Sequence, residues 1–222
     1  MLELNGFYNM DCMEGMKEFP DKYFELAIVD PPYGLGDRLV DGGHKKNPME
    51  KYRKDYEGKG WDEAPDKQYF CELFRVSKNQ IIWGGNYFPL PPTRGIICWD
   101  KKIFMPTFSR WEMAWTSFDS PAKMFEHMQT DKTRFHPTQK PIALYEWLLL
   151  NYAHKGDKIL DTHVGSASSL IACHNLGFQY VGFELDSDYF KAATKRLETA
   201  KSQISIFDEI TITERYEQDK FL

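Results

Sequence analysis

Apolar and polar positions alternate in blocks along this chain, and the block lengths match those of strands and helices. Short apolar runs, such as residues 24–30, predict strands buried on both faces, because such strands have few polar positions. Proline and glycine end several of these runs. By this pattern, strands are predicted over 6–10, 24–30, 79–88, 95–100, 111–118, 157–161 and 178–186.

Helices are predicted where apolar residues recur every three or four positions. In 64–77, for example, Tyr69, Leu73 and Val76 fall on one stripe. The other predicted helices cover 13–19, 137–156, 168–177 and 187–201, and no structure is assigned to 202–222. Strands that alternate with helices indicate an α/β fold, with a mainly parallel sheet covered on both faces.

Two of these helices have recognisable ends in the sequence. Thr138 is predicted to cap the helix of 137–156, with Pro141 in its first turn and residues 155–156 at its end. Ser187 is predicted to cap the last helix, by the same preference of helix starts for small hydroxyl side chains.

The composition fits a single domain that covers 1–222. The chain has 222 residues, of which 42% are hydrophobic. This length suffices for one α/β core and is too short for two such domains. A net charge of −5 gives no overall signal for nucleic acid, so any such contact must come from local basic patches. The four cysteines form no CxxC pair, so no metal site is predicted. With no signal peptide and no membrane-length apolar run, a reducing cytoplasmic location is expected.

The stretch ILDTHVGSASSL leads from an apolar strand through small residues into a helix. Asp161 ends the strand, and the turn is made by Gly165, Ser166 and Ala167, where small side chains let a ligand approach the backbone. Glu184 ends the next strand, 19 residues after Gly165, a spacing that suits an acid accepting both hydroxyls of a ribose. The alternative is an ordinary βαβ turn with a solvated glutamate.

A second motif, IVDPPYGLG, ends a buried strand in an acid, two prolines and an aromatic residue. Asp30 there points into the crevice where α/β proteins bind ligands. Pro31 and Pro32 fix the backbone and lack N–H donors, so the turn presents carbonyl oxygens. A carboxylate beside a rigid carbonyl suits an amino group with two N–H bonds, and Tyr33 offers a flat face for a heterocycle. The alternative is a proline turn with a surface tyrosine.

These motifs together resemble the S-adenosylmethionine-dependent DNA amino-methyltransferases of the circularly permuted β class. YNMDCMEGM, IVDPPYGLG and HPTQKP resemble that family's motifs III, IV and X, and LDTHVGSASS and YVGFELD resemble motifs I and II. The catalytic motif precedes the cofactor loop, which is the β-class order. The resemblance implies a doubly wound, Rossmann-like methyltransferase sheet, mainly parallel with one antiparallel strand near its edge.

The resemblance also implies a role for each matching residue. Asp30 and the Pro31 carbonyl would accept the amino hydrogens of a flipped base, and Tyr33 would stack on it. Apart from the resemblance, the many aromatic residues of 79–88 and 111–118 are expected to lie mostly in the core, with Trp83 or Tyr87 as candidates to line the base pocket. The implied S-adenosylmethionine residues are Asp11, Cys12, Lys140, Asp161, His163, Gly165, Ser166, Ser168 and Glu184.

Within that cofactor set, Asp11 and the Cys12 backbone would read the adenine of the cofactor, and Glu184 would hold its ribose. Alternatives stay open: Cys12 as packing, Lys140 as a solvated helix start, and His136 as a turn-stabilising residue. No metal is required, because the sulfonium carries its own leaving group.

The cofactor loop departs from the family pattern at several positions. His163 and Ala167 stand where an aromatic residue and a second glycine are usual, and Ser168 and Ser169 replace a pair of threonines. Serine keeps the hydroxyl, whereas the methyl of Ala167 occupies space that a close backbone approach needs. We expect the change to affect cofactor affinity more than the fold.

Two polar segments are candidates for contact with double-stranded DNA. The first is a long glycine-rich loop at about 34–60, and the second is a short segment at about 118–136, where the family inserts target recognition. So short a segment reads few base edges, so a homodimer could supply more contacts. The DNA-binding candidates are Lys45, Lys46, Lys51, Arg53, Lys54, Lys123 and Arg134. For the basic residues of 44–54, the alternative is a solvated loop.

The favoured function is methylation of adenine N6 in double-stranded DNA, because an aspartate before Pro-Pro-Tyr is typical of adenine enzymes. Methylation of cytosine N4 is the runner-up, since both amino groups have the same shape. A non-catalytic DNA-binding partner subunit is a third hypothesis, prompted by His163 and Ala167. Neither the target sequence nor a link to restriction-modification follows from these motifs.

Overall fold

One mixed sheet organises the residues that the computed structural model describes, which are 1–35, 63–103, 109–128, 135–136 and 138–218. Its strands are β1 Gly6–Asn9, β2 Phe24–Val29, β3 Ser77–Trp83, β4 Ile96–Asp100, β5 Trp111–Thr116, β6 Lys123–Glu126, β7 Lys158–Asp161 and β8 Gln179–Glu184. The helices are α1 Cys12–Lys17, α2 Lys67–Val76, α3 Ile142–Tyr152, α4 Ser168–Leu176 and α5 Ser187–Gln218, with a short 3₁₀ turn at Gly85–Tyr87.

The strand order across the sheet is β1-β8-β7-β2-β3-β5-β4-β6. Every neighbouring pair is parallel except the two made by β5, which runs antiparallel to both β3 and β4. This confirms the predicted α/β fold, a mainly parallel sheet with one antiparallel strand. The antiparallel strand lies third from one edge of the sheet.

The core lies on both faces of this sheet, because the central strands are apolar at consecutive positions. Leu26 and Ile28 of β2 face a cluster that includes α3, α4 and α5. Ala27 and Val29 face the opposite cluster, which contains residues of α1 and α2. Burial on two faces explains why the β2 sequence reads as continuously apolar.

The helix ends differ in part from the predictions. The prediction that Thr138 caps the third helix is wrong: α3 begins after Pro141 without a side-chain cap, and the Thr138 hydroxyl contacts His136 instead. The helix ends at Tyr152, before residues 155–156. The end predicted for α4 is confirmed, because Gly177 follows it in the left-handed region, φ +72°.

The start of the last helix also needs correction. Ser187 lies inside α5, and Asp186 accepts hydrogen bonds from the backbone N–H groups of Asp188 and Tyr189. Both residue types favour helix starts, and the carboxylate of Asp186 has the position that reaches two N–H groups of the first turn. The helix then continues through most of the segment 202–222, to which no structure was assigned.

Two strand predictions also change. The run predicted as one strand to residue 88 ends at Trp83, where Gly84 adopts φ +67° and the 3₁₀ turn follows. The polar segment at about 118–136 contains the strand β6, where the sequence pattern predicts none. Among the described helices, none has the length and apolar character needed to span a membrane. Most of the predicted loop at 34–60 lies outside the described residues.

Candidate active site at the carboxyl edge of the sheet

The predicted site residues converge because parallel strands end at the same edge of a sheet. Asp30 follows β2, Asp161 ends β7, and Glu184 ends β8, so three acids lie along this carboxyl edge. Asp11 follows β1, which pairs with β8. The antiparallel β5 begins at this edge, which brings Glu112 there as well.

Both carboxylate oxygens of Asp30 are engaged. The Tyr33 hydroxyl donates to Oδ1 at 2.7 Å, and the Lys140 ammonium donates to Oδ2. Burial, reinforced by the charge of Asp30, raises the pKa of Tyr33 well above its usual value, so this hydroxyl remains a neutral donor. The side chain of Lys140 is only 2% exposed, which rules out the solvated helix start.

Lys140 also contacts a second acid. Its Nζ lies 3.3 Å from a carboxylate oxygen of Glu112, whose other oxygen lies 2.5 Å from Nζ of Lys101. Burial disfavours ionisation of Glu112, but Lys140 and Lys101 outweigh burial and lower its pKa to about 2. Burial likewise opposes the charge on Lys140, and Asp30 with Glu112 reverses this effect and raises the pKa of the lysine. Asp30, Lys140, Glu112 and Lys101 thus form a row of alternating charges.

The ring of Tyr33 is fixed by the end of β3. It stacks on Tyr87, with ring centroids 5.0 Å apart and planes 18° apart. A Cβ at Gly84 would approach the Tyr33 ring to 2.2 Å, so this packing requires glycine. Of the two aromatic candidates for the base pocket, Trp83 is fully buried and Tyr87 is 48% exposed.

The cofactor loop is built around the carboxylate of Asp161. The Ser169 hydroxyl donates to one oxygen, and the His163 backbone N–H donates to the other at 3.0 Å. Burial raises the pKa of Asp161 to about 7, against the opposing effect of these two donors, and the charges of Asp30 and Glu184 raise it further. The acid therefore titrates near neutral pH in the absence of a cationic neighbour.

Glu184 receives two backbone donors. The N–H of Gly165 donates to one carboxylate oxygen and the N–H of Asp186 donates to the other, both at 2.9 Å. Burial raises the pKa of Glu184 in spite of these bonds. Because each carboxylate oxygen has a second lone pair, both oxygens keep the capacity to accept a further hydroxyl.

Arg196 of α5 bonds to both sides of the turn in this loop. Its guanidinium donates to the Ser166 carbonyl at 2.7 Å and to the Ser168 hydroxyl at 2.8 Å. Between them, Ala167 is buried and adopts φ +63°, the left-handed region that glycine prefers. The loop thus keeps the conformation expected of glycine although alanine stands there.

The remaining predicted cofactor residues have structural partners. The Asp11 carboxylate caps α1 by accepting from the Met13 N–H at 2.8 Å. Burial, with the charge of Asp11, raises the pKa of Cys12 to about 12, so its thiol stays protonated, in agreement with a packing role. Burial lowers the pKa of His163 to about 4, so its ring is neutral.

Two contacts attach the neighbouring segments to the cofactor loop. The Tyr69 hydroxyl of α2 lies 2.6 Å from the Thr162 hydroxyl, which also lies 2.9 Å from Nδ1 of His163. A Cβ at Gly165 would lie 3.3 Å from the imidazole of His136. His136 therefore lies against the cofactor loop at Gly165.

Of the seven DNA-binding candidates, Lys123 lies in the described part of the chain. Lys123 begins β6, so it lies at the amino edge of the sheet, opposite Asp30, and it donates to Asn151 at 3.0 Å. The other six lie outside the described residues, namely Lys45, Lys46, Lys51, Arg53, Lys54 and Arg134.

Sequence reasoning missed Glu112, Lys101 and Arg196. A signal existed for Glu112, because it is the single acid in the apolar strand WEMAWTSF. If the face of the strand that carries this acid is buried, the carboxylate needs a partner. Lys101 and Arg196 had no such signal, since each is a basic residue in a polar context.

The sheet order, the acids along its carboxyl edge and the small-residue loop define the class of an α/β methyltransferase. The family model described as DNA methylase, covering N6 and N4 enzymes, matches residues 46–195. The chain belongs to this family of DNA methyltransferases, which use S-adenosylmethionine, and the predicted family and cofactor are thereby confirmed.

Individual proteins are similar over most of the chain. YubD of Escherichia coli K12, which carries the name of a methylase, is 26% identical over 218 residues, covering 87% of this chain and 90% of YubD. The structure of M1.HpyAVI with S-adenosylmethionine matches with a TM-score of 0.58 and 21% identity, covering 86% of this chain and 98% of that chain. The cytosine-N4-specific PvuII DNA methyltransferase matches with a TM-score of 0.57 and 12% identity, covering 89% and 90%.

Proposed function

We propose that this protein transfers the methyl group of S-adenosylmethionine to the N6 amino group of a flipped adenine in double-stranded DNA. The observation that carries the proposal is the Asp30 carboxylate, held at the end of β2 beside the strand that ends in Asp161. The acceptor and cofactor groups of one reaction would therefore meet at neighbouring strand ends.

The cofactor loop fits S-adenosylmethionine by the chemistry of its donors and acceptors. Asp161, Gly165 and Ser166 would surround the methionine part, where the buried Asp161 suits a positively charged group. Glu184 would accept the ribose hydroxyls through its second lone pairs, and Asp11 with the Cys12 backbone would contact the adenine ring.

An exocyclic amino nitrogen is a poor nucleophile, because its lone pair is delocalised into the ring. Asp30 and the Pro31 carbonyl would accept its two hydrogens, which favours a localised lone pair and stabilises the positive charge that develops. S-adenosylmethionine supplies the methyl: the new C–N bond forms as the C–S bond breaks, its electron pair stays on sulfur, and the nitrogen then releases one proton to solvent. Tyr33 would orient the base by stacking.

The DNA side of the proposal depends on local basic patches. The basic residues of 44–54 follow the catalytic turn in the chain, where a phosphate clamp would hold the duplex. Flipping the base costs a few kcal/mol, which such contacts must offset. With so short a target-recognition segment, specificity is relaxed unless a second subunit adds contacts.

The test is transfer of labelled methyl from S-adenosylmethionine to unmethylated DNA, followed by digestion to nucleosides and identification by mass. We expect N6-methyladenine with the wild type, and a rate about 100- to 1000-fold lower with Asp30→Asn, because an amide accepts fewer hydrogen bonds and carries no charge. The matched control is Asp21→Asn, an exposed aspartate paired with Arg75, which should match the wild type.

Label in N4-methylcytosine would keep the mechanism and replace adenine by cytosine as the substrate. Absence of label, with cofactor binding retained in calorimetry, would instead support the non-catalytic partner subunit.

A further inference from the structure

Lys140 is a buried cation whose contacts point to the acceptor and not to the cofactor loop. Its side chain is 2% exposed, and its ammonium bonds to Asp30 and lies 3.3 Å from Glu112. It also lies 5.2 Å from the centre of the Trp83 ring. These groups belong to β2, β3 and β5, on the side of the carboxyl edge that carries Asp30.

A buried ammonium is costly unless it is paired, so its position must be specified by its partners. Glu112 is held in turn by Lys101 at 2.5 Å, and the row of four side chains carries two positive and two negative charges. The row is therefore neutral as a whole, and each member restrains its neighbour. Its end is the carboxylate that would bind the amino group.

We propose that Lys140 is a positioning residue that fixes the Asp30 carboxylate in the orientation needed to accept an amino hydrogen, with Glu112 and Lys101 fixing Lys140. This inference rests on the proposed function, since it assumes that Asp30 binds the acceptor amino group. Lys140 holds Oδ2 and the Tyr33 hydroxyl holds Oδ1, so the plane of the carboxylate is set from both sides before a base enters. Preorganised acceptors lower the barrier because no reorientation is needed during reaction.

The experiment compares Lys140→Met, Glu112→Gln and the control Lys102→Met with the wild type. Lys102 lies beside Lys101 but pairs with Glu126 at 2.6 Å, so its loss leaves the row intact. For each variant, kcat and the KM for S-adenosylmethionine are measured on unmethylated DNA, cofactor Kd is measured by calorimetry, and thermal unfolding checks the fold.

We expect Lys140→Met to lower kcat by about 10- to 100-fold, as loss of an orienting partner does elsewhere, with the cofactor Kd within about twofold of the wild type. Glu112→Gln should lower kcat by about 3- to 10-fold, because Lys140 then keeps its ion pair with Asp30 but loses its ion pair with Glu112. An unchanged kcat at saturating cofactor, with a cofactor Kd raised about tenfold, would overturn the inference and make Lys140 a cofactor ligand. A folded Glu112→Gln variant with wild-type kcat would overturn the role of the row.

A second readout separates this inference from the choice of base. Two analogues, with adenine N6 or cytosine N4 joined to the cofactor in place of the methyl group, are titrated against S-adenosylhomocysteine as reference. Lys140→Met should lose affinity for whichever analogue the wild type prefers, and keep affinity for the reference. If the wild type prefers the cytosine analogue, adenine is not the substrate, but the positioning role of Lys140 stands. If Lys140→Met loses equal affinity for the analogue and the reference, the positioning role is refuted and the choice of base is not affected. A wild type that binds neither analogue better than the reference would refute both.

Discussion

The two halves of the carboxyl edge hold their carboxylates in different ways. In the cofactor half, at the ends of β7, β8 and β1, Asp161 and Glu184 accept from hydroxyl and backbone N–H donors. In the acceptor half, at β2, β3 and the start of β5, Asp30 and Glu112 are bonded to the ammonium groups of lysines.

The difference corresponds to the charge of the ligand that each half would receive. Neutral donors orient a carboxylate without cancelling its charge, so burial raises the pKa of both Asp161 and Glu184. Such a site gains most from a cationic ligand, and S-adenosylmethionine carries positive charge. The acceptor base is neutral, and the balanced row from Asp30 to Lys101 receives it without a change in net charge.

The largest effect that would break this comparison comes from Asp161→Asn. We expect the Kd for S-adenosylmethionine to rise roughly 30-fold, because a charge-assisted contact of about 2 kcal/mol is lost. Asp30→Asn should leave that Kd within about twofold, since its carboxylate belongs to the other half. Calorimetry measures the Kd for S-adenosylmethionine of both variants. A similar loss of affinity in both would mean that the two halves are not independent.

A smaller effect is expected from pH. Burial raises the pKa of Asp161 to about 7, and a cationic ligand favours the ionised form, so protons are released on binding and affinity rises with pH. Between pH 6 and pH 8 the Kd should fall about tenfold, following the ionised fraction of this carboxylate. Asp161→Asn should flatten the profile. A Kd that is constant for the wild type over this range would contradict the assignment.

The smallest effect concerns Arg196, a cation in the cofactor half that bonds to neutral oxygens. Arg196→Met should raise the cofactor Kd about fivefold, because loosening the left-handed turn at Ala167 costs about 1 kcal/mol. Lys195→Met is the matched control, as Lys195 is exposed on the same helix. Equal affinities for both variants would show that the turn holds its shape without Arg196.

The parts of the site that were predictable are those whose signal is local. Asp30 and Tyr33 lie within one turn at the end of an apolar strand, and Asp161 and Gly165 lie within one loop. The lengths of the apolar runs likewise gave the strand positions of β2, β7 and β8, because burial on two faces leaves a continuous apolar pattern.

Contacts between distant segments were not predictable in the same way. Glu112 reaches Lys140 only because β5 runs antiparallel and begins at the carboxyl edge, which no residue of WEMAWTSF encodes on its own. The strand β6 was missed because KMFE is short and only half-buried, so it lacks an apolar run. Asp186 and Ser187 are adjacent, and both residue types are good helix caps. A shift of the helix start by one residue therefore decides which of them caps it, and the sequence does not determine that shift.

The pairing of β1 with β8 has a consequence for synthesis of the chain. Asn9 pairs with Glu184, and within the described sheet β1 has β8 as its neighbour and forms the edge. The acceptor half comes from residues between Phe24 and Lys140, whereas the cofactor half joins residues near the beginning to residues made much later. During translation, the strands around Asp30 are complete well before β8 leaves the ribosome. The pairing of β1 with β8 can therefore form only after the chain has been synthesised through Glu184, although β1 is among the first segments made.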